Sequence, residues 1–219
     1  MPDTKDIPDK IIQRLPHYYV QLKKLLSDDT EYISSEKLSK IMGYSSSLIR
    51  RDLSHFGSFG KKSYGYDINC LYETISKILG FSSNKKMIII GAGFLGRALA
   101  NNKSYKERGY ELIGLFDKDS AIIGLEFNGL QVMDIEFAPG FIKQNEVEVA
   151  ALAVPSDEAQ KAANLLIEAG IKGIWDFTET PISVPDNIIL VEQNMNDGLC
   201  KLSCRLMQKS NNCNEQKIK

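Results

Sequence analysis

The chain has 219 residues, 43% hydrophobic and 25% charged, which suits a globular protein of one large or two small domains. No apolar run is long enough to span a bilayer, and the opening MPDTKDIPDK is too polar for a secretory signal, so a cytoplasmic location is expected. The net charge of −1 hides a basic stretch, residues 37–62, where Lys37, Lys40, Arg50, Arg51, Lys61 and Lys62 face one acid, Asp52; this points to a polyanionic partner for the first part of the chain only.

In chain order, IPDKIIQRLPHYYVQLKKLLS carries Ile11, Ile12, Leu15, Tyr18, Tyr19, Leu22, Leu25 and Leu26 at helical spacing, with Pro16 as a break or kink. SSEKLSKIMG follows as a short helix, capped by Ser34 or Ser35 and stopped at Gly43. YSSSLIRRDLSHFG restarts a helix, with one of Ser45, Ser46 and Ser47 as N-cap and Gly57 at its end. Two short helices about a tight turn outline a helix-turn-helix. GSFGKKSYGYDI, glycines around a lysine pair, reads as a hairpin or wing. NCLYETISKILGF is amphipathic and closes a small domain over residues 1–81, with SSNKK as the linker.

The rhythm then changes. MIIIG is a continuous apolar run of the kind found in a strand buried on both faces. LGRALANN (helix), YELIGLFD (strand), VEVAALAVP (strand), SDEAQKAANLLIEAG (helix, Ser156 as cap and Gly170 as stop), IKGIWDF and NIILVE (strands) continue it. Such alternation gives an α/β domain, residues 82–193, with a parallel sheet and helices on both faces. NDGLCKLSCRLMQ, within residues 194–208, is an amphipathic helix without a partner in its own domain, and residues 209–219 form a polar tail expected to be disordered. Cys70, Cys200, Cys204 and Cys213 lack CxxC spacing, and with only His17 and His55 to join them no metal site is expected; Cys200 and Cys204, on one helix face, read as packing residues.

GAGFLG places Gly91, Gly93 and Gly96 between a strand and a helix, where they permit the tight turn, the approach of backbone to a pyrophosphate, and close helix-to-sheet packing. Asp117 ends the next strand 21 residues after Gly96, a spacing that suits a ribose hydroxyl and favours NAD over NADP; Lys118 beside it weakens that discrimination. A dehydrogenase would need an acid or base near the nicotinamide. Both histidines precede the nucleotide domain, no Tyr-x-x-x-Lys follows the turn, and no substrate domain is left, so the chain reads as a non-enzyme, with an NAD-dependent oxidoreductase as the weaker alternative.

RLPHYYVQL, SSEKLSKIMGYSSSLIRRDLSHFGSFGKKSYGY, GAGFLGRAL, LFDKD, LAVPSDEAQKAANLLIEAGIKGIWDF and VPDNIILV together resemble the Rex family of redox-sensing transcriptional repressors, from about Ile7 to Met207. The resemblance implies an N-terminal winged-helix DNA-binding domain, a Rossmann-type NAD(H)-binding domain and a C-terminal helix swapped within a homodimer. It implies binding to AT-rich inverted-repeat operators with a TTG-type half-site, and release by NADH. Candidate DNA contacts are Ser45, Ser46, Ser47, Arg50, Arg51, Ser54, Lys61, Lys62 and Tyr64. Candidate cofactor contacts are Gly91, Ala92, Gly93, Phe94, Leu95, Gly96, Asp117, Lys118, Val154, Pro155 and Phe177.

The departures from the family pattern carry their own expectations. Phe94 stands where Asn or a basic residue is usual. GIWDFTE replaces GILNFAP and adds Asp176 and Glu179 beside the nucleotide cleft, an acidic pair expected to disfavour a pyrophosphate. The family's switch residues, an Arg, a Tyr and an Asp, fall on Val20, Asn102 and Asn194. A divergent paralogue with a weak or lost NAD(H) response is the alternative reading.

Overall fold

The N-terminal helical pattern is broken into two helices, α1 (Asp9–Ile12) and α2 (Leu15–Ser27); the break falls at Gln13 and Arg14, and Pro16 sits in the first turn of α2, where its missing N–H is not needed. The structure, a computed structural model, describes residues 7–57, 60–61 and 65–216. They form two units: one runs to Asn84 and takes in Glu107–Gly109, and the other holds Lys85–Lys106 and the chain from Tyr110 onward.

In the first unit, α3 (Ser35–Met42) begins at Ser34, whose hydroxyl accepts from the Lys37 N–H at 3.2 Å, and stops at Gly43 with φ 70°. α4 (Ser46–Ser54) begins at Ser45, which accepts from the Leu48 N–H at 3.2 Å, and closes at His55, before the expected stop at Gly57. β1 (Tyr32–Ile33), β2 (Gly60–Lys61) and β3 (Gly65–Asp67) make a small antiparallel sheet in the order β1-β3-β2. Asp67 caps α5 (Ile68–Ile78) by accepting from the Cys70 N–H. The apolar faces meet in one core that includes Tyr18, Leu22, Leu38, Ile49, Leu53 and Leu71.

The second unit is built on β4 (Lys85–Ile90), α6 (Phe94–Ala100), β5 (Tyr110–Asp117), β6 (Glu126–Phe127), β7 (Leu130–Asp134), α7 (Ala138–Asn145), β8 (Val149–Leu152), α8 (Ala159–Ala169), β9 (Gly173–Asp176) and β10 (Ile189–Glu192). The sheet order is β10-β9-β8-β4-β5-β7-β6, parallel except for the β6–β7 hairpin. This is the doubly wound order of dinucleotide-binding sheets, and its direction reverses at β4. Alternation along β4 sends Ile88 and Ile90 into the core with α7 and α8, and Ile89 into the opposite core with Ala100 of α6. The Gly-rich turn leaves β4 at the point where the two windings diverge.

Three expectations are corrected. α8 does not start from a Ser156 cap: residues 155–158 make a turn first, and Glu158 stands at the N-cap without a side-chain cap bond. The last helix, α9 (Asn196–Gln216), continues past the expected end at 208 into the polar tail, which contains no Gly or Pro to stop it. Cys200 and Cys204 are exposed rather than packed, as is Cys70; Cys213 lies outside the side chains described. Among the described residues no helix is long and apolar enough to cross a membrane, and no cluster of His, Cys, Asp and Glu is arranged to hold a metal.

Candidate nucleic-acid interface and dinucleotide cleft

In α4 the buried face is Ile49, Asp52 and Leu53, so the opposite face is turned to solvent. Ser45, Ser47, Arg50, Arg51 and Ser54 are exposed and Ser46 is half-buried. The Ser45 hydroxyl sits 3.1 Å from that of Ser47 at the helix start. Arg50 is not extended: its guanidinium donates to the Ser35 hydroxyl and the Glu36 carboxylate, both at 3.0 Å. Glu36's own backbone N–H, then the Ser35 hydroxyl, hold its carboxyl below the usual carboxylate range. Lys61 lies on β2; Lys62 and Tyr64 lie outside the described residues.

The orientation of α4 depends on a network that sequence spacing did not reveal. Asp52, 1% exposed, accepts from Arg14 Nε at 2.7 Å, from Arg14 Nη2 at 2.6 Å and from the Tyr18 hydroxyl at 3.1 Å. The charged pair joins the N-cap of α2 to the last turn of α4. Burial, then the Asp52 charge, pushes the Tyr18 phenol above its ordinary range, so it stays a donor to the carboxylate. Arg14 and Asp52 are 38 positions apart, and no local pattern links them.

In the second unit the Gly-rich turn is closely fitted except at one place. A side chain at Gly91 would meet the Ala153 carbonyl, one at Gly96 would meet the Gly91 carbonyl, and one at Gly93 would meet nothing within 4 Å. The open place is where the turn can receive a ligand. Ala92 is buried, and its N–H donates to Asp117 Oδ2 at 2.6 Å; Asp117 Oδ1 accepts from the Asp119 N–H at 2.9 Å. Asp117 is thus fixed against the turn, with acceptor capacity left over for a hydroxyl. Arg97, another residue missed in the sequence, donates from Nε to the Ala92 carbonyl at 2.7 Å and lies over the Phe127 ring. Leu95 is half-buried, and Phe94 is 96% exposed at the helix start.

Across the switch point, Val154 packs against the core beside Gly91 and Pro155 is exposed. Phe177 packs against Trp175, ring centroids 4.5 Å apart, and its N–H donates to the Leu152 carbonyl. The expected acidic pair does not form as such. Asp176 is 1% exposed and accepts from the Thr178 N–H at 2.8 Å, folded into its own turn, because a carboxylate two residues before a free N–H closes an Asx turn. Glu179 accepts from Asn196 Nδ2 at 2.7 Å. Asn102 accepts from the Ser104 N–H and hydroxyl, Asn194 accepts from the Asn196 N–H, and Val20 is 49% exposed on α2.

A helix-turn-helix unit with an exposed basic second helix, followed by a doubly wound sheet with an open glycine at its switch point, defines a DNA-binding regulator of the dinucleotide-fold class. Residues 6–54 match the family described as putative DNA-binding protein N-terminus, and residues 82–180 match the CoA binding domain family. The redox-sensing transcriptional repressor Rex of Caldicellulosiruptor saccharolyticus is 42% identical over 205 residues, 94% of either chain. That of Clostridium botulinum is 38% identical over 204 residues, 93% of this chain and 97% of its own. The crystal structure of RSP in complex with NAD+ and operator DNA superposes with a TM-score of 0.88 at 40% identity, covering 96% of this chain and 97% of the other. The chain belongs to the Rex family of redox-sensing transcriptional repressors, and it is a regulator, not an enzyme.

Proposed function

We propose that this chain acts in the cytoplasm as a homodimer, binds an inverted-repeat operator through α4 and the wing, and holds NAD(H) at the Gly93 opening. The observation that carries the reading is the outward face of α4, where Ser45, Ser47, Arg50 and Arg51 stand exposed while Asp52 is clamped inward. Its likeness to a relative solved with NAD+ and operator DNA supports the same assignment. Replacing Arg50 or Arg51 with Ala is expected to cost about 1–3 kcal/mol of specific operator binding, with Arg50 at the low end because it must first leave Glu36. Fluorescence anisotropy on a family-type operator measures this; two variants with unchanged affinity would move the interface elsewhere.

The homodimer reading rests on α9. Met195 just before it and Leu199, Leu202, Leu206 and Met207 on it are 67%, 63%, 54%, 57% and 64% exposed, an apolar stripe that asks for cover. Truncation after Val191 is expected to leave a monomer with weak operator binding, read by light scattering and anisotropy. A truncated chain that stayed a DNA-binding dimer would rule out exchange of α9.

The redox response is a second matter. Val20, Asn102 and Asn194 cannot form an ion pair in any state, and the two asparagines are engaged in local turns. A ligand shifts an equilibrium only by its differential affinity for the two states. We therefore propose that NADH and NAD+ weaken operator binding to similar extents. With Asp176 folded into its own turn, Glu179 is left as the carboxylate of that pair able to weaken nucleotide binding. Titration of the operator complex with each nucleotide to millimolar concentration tests it; release by NADH alone would show a switch built from other residues.

A further inference from the structure

We propose that Glu158 sets the preference of this chain for NAD(H) over NADP(H), by holding Lys118 away from the adenosine 2′ position. The inference rests on the dinucleotide reading above. In sites of this fold a carboxylate at the end of the second strand takes the ribose hydroxyls, whereas a cation nearby accommodates a 2′-phosphate. Here the two stand side by side: Asp117 ends β5 and Lys118 follows it. From the sequence the pair is ambiguous, because a free lysine would attract the phosphate that Asp117 repels.

The geometry removes the ambiguity. Lys118 Nζ lies 2.9 Å from Glu158 Oε1, with the side chains 61% and 29% exposed. Glu158 stands at the start of α8, where the helix dipole favours a carboxylate. The pair therefore links the end of β5 to the loop after β8, the two strands that flank β4 and its Gly-rich turn. Asp157 and Asp117 add two further negative charges that act on the same ammonium. A lysine paired with one carboxylate and within the field of two more offers little to a phosphate carrying nearly two negative charges. Asp117 meanwhile stays in place for the ribose, held by the Ala92 and Asp119 N–H groups. Neither Lys118 nor Glu158 bears on the fit of Gly91 and Gly96, so the charge around the 2′ position can be changed without disturbing the turn.

The test is direct titration of the full chain with NADH and with NADPH, followed by fluorescence, for wild type, Glu158→Gln and the double variant Glu158→Gln/Lys118→Gln. Wild type is expected to bind NADPH more weakly than NADH. Glu158→Gln keeps the shape of the helix start and frees the ammonium, so NADPH affinity is expected to rise about three- to tenfold while NADH affinity stays within about twofold. The double variant is expected to return NADPH to the wild-type value, and the gain in the single variant is expected to fade as salt is raised. An unchanged ratio of the two affinities in Glu158→Gln, or a gain that survives removal of Lys118, would overturn the assignment while leaving the dinucleotide reading intact. A wild-type chain that bound neither nucleotide would sink that reading and this inference together.

Discussion

Replacing Arg14 with Met is expected to destabilise the first unit by about 3–5 kcal/mol, the cost of leaving a buried charge without its partner. Asp52 is 1% exposed, and three of its hydrogen bonds come from Arg14 and Tyr18. Without the guanidinium, the Tyr18 hydroxyl is the one side-chain partner left to the carboxylate among the described residues. The reverse substitution, Asp52→Asn, is expected to cost less, about 1–3 kcal/mol, because the Arg14 side chain is 21% exposed and can turn toward water, and an amide can still pair with Tyr18. The order of the two costs distinguishes a buried-charge penalty from simple loss of packing. Two units can unfold separately, so one transition cannot be assumed. Trp175, the chain's sole tryptophan, lies in the second unit. A urea transition seen by circular dichroism and silent in tryptophan fluorescence therefore belongs to the first. Equal midpoints for Arg14→Met and wild type would mean that Asp52 needs no ionic partner, and that α4 is held by Ile49 and Leu53 alone.

That network also marks where the sequence ceases to be legible. Features set within a few residues were readable: a serine cap before each helix of the pair, which the structure narrows to Ser34 and Ser45, the stop at Gly43, the Gly-rich turn between strand and helix, and the apolar strand after the linker. Each depends on the chemistry of its own neighbours. The strand Tyr32–Ile33 was not readable, since two residues are too short to show a period, whereas the short strand Gly60–Lys61 lies in the hairpin that the glycines announced. Nor did residues 118–148 declare β6, β7 and α7, whose apolar positions are few and interrupted. Ion pairs between distant positions have no local signature, so Arg14–Asp52 and Lys118–Glu158 emerged only from the fold. Asp176 misled for the opposite reason. Its identity suggested a charge in the cleft, whereas its position two residues before Thr178 N–H let it close a turn and turn inward. The exposed cysteines of α9 misled because a helix face that reads as packed has no cover within one chain.

The three glycines of the turn are expected to separate folding from binding. At Gly91, φ of 98° is a conformation that alanine adopts only with strain, and a methyl group there would meet the Ala153 carbonyl. At Gly96 a methyl group would meet the Gly91 carbonyl and force α6 off the sheet. Alanine at either position is expected to cost about 1–3 kcal/mol or more in the second unit, since a packed backbone has little room to yield. Gly93 differs. Its φ of −68° is one any residue adopts, and a methyl group there would touch nothing within 4 Å. Gly93→Ala is expected to change stability by no more than about 0.5 kcal/mol, as at an ordinary surface position. The same methyl group would stand where backbone must approach the pyrophosphate, so NADH affinity is expected to fall by about tenfold or more. Trp175 fluorescence in urea reads the first quantity and NADH titration the second. Operator binding by Gly93→Ala, measured without nucleotide, is expected to match wild type, because α4 and its clamp lie in the other unit. If Gly93→Ala bound NADH as well as wild type does, the pyrophosphate could not lie on this turn, and the glycines at 91 and 96 would be packing residues of a fold that has kept its shape without its ligand.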